Sequence, residues 1–394
     1  MIVFAWTVLL VSIATVLYVY IGFPGALFIL QLRRRYTAPA FTGADEALRT
    51  VSLVVAAYNE EEVIEEKLEN GLRIDYPPEK LQFVFVSDST DGTNEILRRY
   101  ESGRVRVIVL PERRGKVAAL AAALPACTGD ILVFSDANTY YRPDSIRMLV
   151  RHFQNPQVGL VTGDVRILQS TQAFGEGEGL YYRYERWLQS LETSFWSTVA
   201  IDGAMYAIRC SLVRLASHGL VADDLVTGMN VGCQGYRLIY DAEAFAEENP
   251  TPTDAQEFKR KIRVIAYAIQ SLIEGEGVPP LTQWRLLWVY LSHKVLRWFV
   301  PVFLIFALLS AAALALFSRT GVVLFAGQAL FYGLAILNWR FPKLDGRMVR
   351  IPYYFTMVNA AALLGILRGV RRKQRSVWSR TERIAYKPRA DQRP

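Results

Sequence analysis

The distribution of charge along the chain limits its fold more than any other feature. Of 394 residues, those from 1 to 32 include no charged side chain, and further charge-free runs occupy 298–318, 320–339 and 351–367. Between them lies a block, about 45–275, of ordinary globular composition. A helix of ~20 apolar residues crosses the ~30 Å hydrocarbon core of a bilayer. Such runs exclude a simple soluble protein and a disordered chain. They are also too few, and the polar block too long, for a many-helix transporter. The overall values, 52% hydrophobic and a net charge of +8, therefore average over two materials. Positive charge on a whole chain can signal nucleic acid. Here many cations sit beside the apolar runs, which favours lipid and argues against a nucleic-acid partner.

The ends of the chain predict the membrane part. Met1 to about Tyr20 reads as a spanning helix that Gly22, Pro24 and Gly25 should end or kink. It lacks the basic lead and the short apolar length of a secretory signal. Arg33, Arg34 and Arg35 follow, and clustered arginine beside a span marks the cytoplasmic side. The polar block should then lie in the cytoplasm. A short turn around Arg319 separates 298–318 from 320–339 and predicts a tight helical hairpin with its tip outside. Over 282–298, Trp284, Leu287, Tyr290, Leu291, Val295 and Trp298 recur near helical spacing, with Arg285, His293, Lys294 and Arg297 between them. That mixture suits an interfacial helix, with a surface helix packed on the globular block as the alternative. The run 351–367 is short for a span and basic at both ends, which predicts a re-entrant or interfacial helix in preference to a fourth crossing. The division is thus 1–35, 45–275 and 276–394. Cys127, Cys210 and Cys233 form no CxxC pair and read as buried small hydrophobes. His152, His218 and His293 are too scattered to suggest a metal site or a Ser–His–Asp triad.

Within the block, short apolar runs alternate with helical segments. Val51–Ala57 is nearly all apolar, as a parallel strand covered on both faces should be. A charged helix follows over about 60–71, then a strand Leu81–Ser87, a helix Gly92–Tyr100, a strand Arg104–Leu110, an Ala-rich helix over about 115–124 and a strand Asp130–Ser135. This alternation predicts an α/β fold with a mostly parallel sheet and right-handed crossovers. Ligands of such sheets bind beyond the carboxyl ends of the strands. The residues there are Tyr58-Asn59-Glu60, Asp88-Ser89-Thr90-Asp91, Arg113-Arg114-Gly115-Lys116 and Asp136-Ala137-Asn138. One rim so gathers carboxylates, cations and hydroxyls. Asp91 alone could serve as a helix cap and Glu60 could favour a helix N-terminus. No G-x-G-x-x-G or GxxxxGK[ST] loop follows a strand, so dinucleotide redox chemistry and P-loop hydrolysis lack their phosphate cradle.

These residues resemble those of the family 2 glycosyltransferases of GT-A fold, which include membrane-bound synthases of cellulose, chitin and hyaluronan. The family motif after the second strand is matched by Ser87-Asp88-Ser89-Thr90-Asp91, one residue shorter. The resemblance implies that Asp88 meets the nucleotide base, that Lys116 lies near it, and that Tyr58 and Glu60 line the nucleotide site. Asp136 and Asn138 hold the DxD positions, which contact the nucleotide and a divalent cation, Mg2+ or Mn2+. The amide at Asn138 is a departure, since an amide oxygen is a weaker ligand for a hard cation than a carboxylate. Ile201-Asp202-Gly203-Ala204-Met205-Tyr206 resembles the acceptor-side segment, with Gly203 within it. Ala222-Asp223-Asp224 followed by Gly235-Tyr236-Arg237 matches the ED…GYR pattern. That match implies Asp224 as the catalytic base and Asp223 as its supporting neighbour. Arg260-Lys261-Ile262-Arg263-Val264 stands where processive synthases carry QxxRW. Arg263, with Arg260, would serve the diphosphate, while the Gln and Trp are missing. Trp378-Ser379-Arg380-Thr381-Glu382-Arg383 weakly resembles their gating loop.

The implied activity is inverting transfer of a sugar from a nucleotide diphosphate sugar, with uridine the expected base, to a lipid or lipid-linked acceptor at a cell membrane. Processive synthesis of an extracellular polysaccharide is the alternative enzyme. A non-catalytic membrane scaffold is the alternative of another class.

Overall fold

The computed structural model describes residues 2–371 apart from 33–34, 41–44, 46–47, 168–175, 216–222, 249–252, 343 and 345. The gating-loop resemblance at 378–383 lies outside the described residues, as do Arg33, Arg34, Ala222 and the basic tail from Arg372.

The N-terminal apolar run is helical from Ile2 to Leu17 (α1), passes through a π-helical segment Tyr18–Gly22, and continues as α2 over Phe23–Gln31. The expected stop near Tyr20 does not occur. Pro24 falls in the first turn of α2, where a missing N–H costs little, and the wider π turn precedes it.

The catalytic block then builds β1 (Val51–Ala57), α3 (Ile64–Leu72), β2 (Leu81–Ser87), α4 (Thr93–Arg99), β3 (Val105–Val109), α5 (Lys116–Ala123), β4 (Ile131–Asp136), β5 (Thr139–Tyr141), α6 (Ser145–Arg151), β6 (Val158–Ile167), α7 (Glu176–Phe195), β7 (Met205–Arg209), α8 (Asp223–Cys233), β8 (Arg237–Glu248) and α9 (Asp254–Glu274). The strands form one eight-stranded sheet in the order β3-β2-β1-β4-β7-β6-β8-β5. The four strands at the β3 end are parallel, as the alternation predicts. β7 then runs antiparallel to β4, with Ser135 opposite Met205, and β5 runs antiparallel to β8. The register of β4 and β7 sets Gly203 and Ala204 on the same rim as Asp136.

Both faces of the sheet are covered. Val51, Leu53 and Val55 face Ile64, Leu68, Leu97, Ile146 and Leu149 on one side. Val54, Val84, Val86, Leu132 and Phe134 face Ala119, Leu120, Leu188 and Leu191 on the other. Full burial of one such side chain is worth roughly 1.5–3 kcal/mol. That second core also takes in Phe23 and Leu27 of α2, together with Leu286, Val289 and Tyr290. These segments next to the apolar runs therefore also cover the sheet.

The C-terminal part consists of α10 (Trp284–Val289), a second π-helical segment Tyr290–Val295, α11 (Leu296–Ala315), α12 (Arg319–Arg340) and α13 (Arg347–Val370). The hairpin expected around Arg319 is present, with Ser318 capping α12 by accepting from the Gly321 N–H. Segment 282–298 departs from a freely lying interfacial helix. Leu286 and Val289 are buried in the catalytic core and Trp284 stays exposed, so α10 packs on the domain and leads directly into α11. The last apolar run is also longer than its 17 residues suggest, since α13 is continuous over 24 residues with Pro352 near its start. It lies along α9, where Gly365 and Gly369 permit close contact; a Cβ on Gly369 would stand 2.7 Å from the Ala266 carbonyl oxygen. Four helical stretches, Ile2–Gln31, Leu281–Ala315, Arg319–Arg340 and Arg347–Val370, are long and apolar enough to cross a membrane.

The two π segments meet. Tyr18 Oη and Ser292 Oγ are hydrogen-bonded at 2.8 Å, and Trp288 Nε1 donates to Tyr18 Oη at 2.9 Å. Beside them, buried His293 lies between Glu192 (2.5 Å) and Glu185 (3.2 Å), and Arg297 pairs with Glu185 at 2.5 Å. This polar network joins α7 to the entry of α11. All three cysteines are free. Cys210 is exposed, which corrects its reading as a buried hydrophobe, because it falls in a surface turn after β7.

Candidate active site

The site is built from loops at the carboxyl ends of β1, β2, β4 and β5's partner strand, together with the starts of β7 and α8. At β1, Asn59 adopts a left-handed backbone with φ 55°. Its amide oxygen accepts from the Thr90 N–H at 2.9 Å, and its own N–H donates to Ser89 Oγ at 2.9 Å. These bonds fasten the β1 loop to the β2 loop. Tyr58 is stacked under the Arg113 guanidinium, 3.7 Å from the ring centroid. The Glu60 N–H donates to Thr93 Oγ1. Asp91 uses its carboxylate on the Thr93 N–H and hydroxyl and on the Glu61 N–H, a structural role.

Asp88 is buried, and its Oδ2 accepts from the backbone N–H groups of Arg114 (3.0 Å) and Gly115 (3.2 Å). It thereby shapes the loop ahead of α5. Gly115 takes φ 84°, where a side chain would be strained, so the turn into Lys116 calls for glycine. Lys116 reaches across to Asp136, with Nζ 2.9 Å from Oδ1. The cation expected near the base is thus joined to the DxD strand end.

Asn138 donates from Nδ2 to Glu248 Oε1 at 3.3 Å. Glu248 ends β8 and pairs with Thr139 across the sheet. The strand pairing so brings a carboxylate next to the amide that replaces the second DxD acid. Among the described residues no group of three or more His, Cys, Asp or Glu side chains could by itself cage a metal. The oxygen donors of Asp136, Asn138 and Glu248 nonetheless fit a hard cation that takes its other ligands from substrate phosphates, a common arrangement for Mg2+.

Further along the rim, Asp224, the second residue of α8, packs directly against Gly203: a Cβ on Gly203 would lie 2.9 Å from Asp224 Oδ2. The Asp202 N–H donates to Thr162 Oγ1, and its Oδ2 takes a bond from Arg186, which also pairs with Asp164 at 2.8 Å. Burial lowers the Arg186 pKa, but Asp202 and Asp164 prevail and raise it. Asp223 begins α8. On α9, Arg260 is clasped bidentately by Glu257 at 2.7 and 3.0 Å. Burial pushes the Glu257 carboxyl up, and Arg260 and Lys261 outweigh it, holding the carboxyl down at about 2. Burial lowers the pKa of Arg263, which also feels the field of Asp136. The sequence reading missed Glu248, Gly203's contact with Asp224, and Lys67, whose environment is described below. It also missed Glu257, whose place three residues before Arg260 on a helix is a local signal for that pair.

An eight-stranded mixed sheet thus carries acids, cations and a glycine-backed carboxylate on one rim, an α/β architecture with its site beyond the strand ends. Residues 49–266, more than half of the chain, match the family described as Glycosyltransferase like family 2, and the chain belongs to that family. It is 25% identical over 221 residues to poly-beta-1,6-N-acetyl-D-glucosamine synthase of Staphylococcus aureus strain COL, covering 54% of this chain and 53% of that protein. It is 27% identical over 135 residues to the synthase of the same name from Staphylococcus epidermidis, covering 34% and 32%. The chain therefore spans about half the length or less of these curated relatives. Among solved structures it resembles the mannosyltransferase PcManGT from Pyrobaculum calidifontis, solved with GDP-Man and Mn2+, with a TM-score of 0.70 and 24% identity over 93% of this chain and 99% of that one. That likeness establishes the fold.

Proposed function

We propose that this protein is an inverting glycosyltransferase that moves a sugar from a nucleotide diphosphate sugar to an acceptor at the membrane surface. The observation that carries the reading is the packing of Asp224 against Gly203, on the rim where β4 ends in Asp136. Asp224 acts as the base that takes the acceptor hydroxyl's proton as it attacks. Asp223 supports it, and Gly203, on the acceptor side, lets the Asp224 carboxylate sit close against the chain. Lys116 and Arg263 supply positive charge to the leaving diphosphate, and Arg260 adds to that field. Tyr58, Glu60 and Asp88 form the nucleotide end of the site. Asp136, Asn138 and Glu248 would hold Mg2+ or Mn2+. When bound, such a cation neutralises charge developing on the diphosphate. Holding donor and acceptor in line lowers the barrier further.

The four apolar helices support a multi-pass membrane protein, and the basic clusters beside them support a cytoplasmic catalytic domain. The acceptor is a lipid or lipid-linked glycan, a reading favoured by Arg260 and Val264 standing where the QxxRW motif carries Gln and Trp. A second reading, processive synthesis of a polysaccharide, is favoured by the similarity to the staphylococcal poly-beta-1,6-N-acetyl-D-glucosamine synthases.

The test is a panel of UDP- and GDP-sugars offered to the full chain in nanodiscs, with nucleoside diphosphate release read with and without chelator. Asp224→Asn should retain diphosphate binding and lose transfer. Release from no donor, or wild-type turnover by Asp224→Asn, overturns the proposal. A sizing gel separates a single added sugar from a polymer ladder.

A further inference from the structure

The charged helix α3 buries a lysine directly behind the candidate diphosphate site. Lys67 is 1% exposed. Its ammonium donates to Ser135 Oγ at 2.7 Å and to the Thr139 carbonyl oxygen, and it lies 4.5 Å from the centroid of the Tyr141 ring. Ser135 immediately precedes Asp136, and Thr139 immediately follows Asn138. One ammonium is thus fastened to both ends of the turn Asp136-Ala137-Asn138. Ser135 Oγ in turn donates to the Asp136 carbonyl oxygen at 3.1 Å. Asn70, three residues on and on the same helix face, continues the clamp: it donates to the Tyr141 carbonyl and accepts from the Tyr141 N–H, each at 2.8 Å.

Such a lysine is costly to the fold. Its hydrogen bonds go to a hydroxyl and a carbonyl, and Asp136 acts on it only through space. Burial drives its pKa down to about 7, with Asp136 pulling the other way. Were the lysine removed, relief of that desolvation and the loss of a donor to the buried Thr139 carbonyl would oppose each other. Stability alone therefore does not account for an ammonium at this point. What the ammonium does, and a methionine cannot, is tie the two strand ends and place positive charge behind Asp136.

We propose that Lys67 is a positioning residue for the donor diphosphate, holding the Asp136-Ala137-Asn138 turn in the shape that meets the phosphates and their cation. This rests on the transferase reading above. Lys67 touches neither donor nor acceptor; it acts through the turn.

The experiment compares wild type, Lys67→Met and Ser135→Ala as full-length protein in nanodiscs. UDP and GDP binding with Mn2+ is measured by calorimetry, uridine and guanosine serve as phosphate-free controls, and thermal midpoints are recorded. Lys67→Met should remain folded at the assay temperature, as its thermal midpoint will show, yet bind the diphosphates about tenfold more weakly, the lower end of losses for residues that orient a metal site's own ligands. Nucleoside binding should be unchanged. Ser135→Ala removes only the hydroxyl that receives the ammonium and should weaken diphosphate binding in the same direction. If Lys67→Met does not fold, Ser135→Ala decides. Wild-type diphosphate affinity in the variants overturns the role of Lys67 and leaves the transferase reading standing. If the wild-type protein binds neither diphosphate and releases none from any donor, the transferase reading itself fails.

Discussion

The contact between Gly203 and Asp224 can be tested by adding a single methyl group. In Gly203→Ala the new Cβ would lie 2.9 Å from Asp224 Oδ2, 3.2 Å from its Cβ and 3.3 Å from its Cγ. An ordinary carbon–oxygen contact begins near ~3.4 Å, so the carboxylate must retreat by about 0.5 Å. Catalytic groups tolerate about that much error before rate suffers, and a misplacement of about 1 Å can cost about a hundredfold. We therefore expect kcat to fall about tenfold, with a much smaller change in donor KM because the shift falls on Asp224 while the nucleotide end of the donor is held by the β1 and β2 loops. Gly103→Ala is the control, since its Cβ would meet nothing within 4 Å. The assay is nucleoside diphosphate release at saturating donor, run beside donor titrations. A Gly203→Ala protein with wild-type kcat would show that Asp224 is not the group whose position governs transfer. A rise in donor KM alone would move Gly203 to the donor side and refute the assignment equally.

Three other outcomes follow from the same geometry. Asn138→Asp places a second carboxylate beside Glu248 and should raise Mn2+ affinity about tenfold through ligand charge; calorimetry with Mn2+ and UDP checks it, and unchanged affinity argues against a cation at that turn. Arg186→Met leaves Asp164 and Asp202 without their shared cation and should destabilise the domain by about 3 kcal/mol, read as a lowered midpoint of unfolding. Glu257 has a folded pKa, about 2, below its usual 4.5. Its contribution to stability is therefore full above pH 4.5 and is lost as pH falls toward 2, and Glu257→Gln should flatten that part of the stability–pH profile.

Much of the frame was legible in local sequence. Val51–Ala57 and Leu81–Ser87 form strands with the expected ends, because runs covered on both faces leave little other use for seven successive β-compatible residues. The residues after β1, β2 and β4 reach one rim because parallel strands share a direction. Helix ends near Tyr20 were less legible, since a π turn absorbs the Gly-Pro-Gly cluster that ordinarily stops a helix. Periodicity also showed that 282–298 has an apolar face, yet it could not show that the face meets a sheet rather than lipid.

The sequence by itself determined where charge can and cannot be, and hence which segments are apolar helices, which are covered strands, and which acids follow strand ends. Tertiary structure alone decided the partners. Lys67 sits in a stretch of glutamates that reads as a charged helix, and only the packing of α3 against the ends of β4 and β5 turns its ammonium inward. Glu248 stands 110 residues from Asn138 and reaches it because β5 pairs with β8 at the edge of the sheet. Gly203 meets Asp224 because β7 runs antiparallel to β4 and delivers its start to the rim. Side-chain patterning is a local property of helix and strand periods, whereas these contacts depend on strand order and register, which close over long loops and leave no periodic mark.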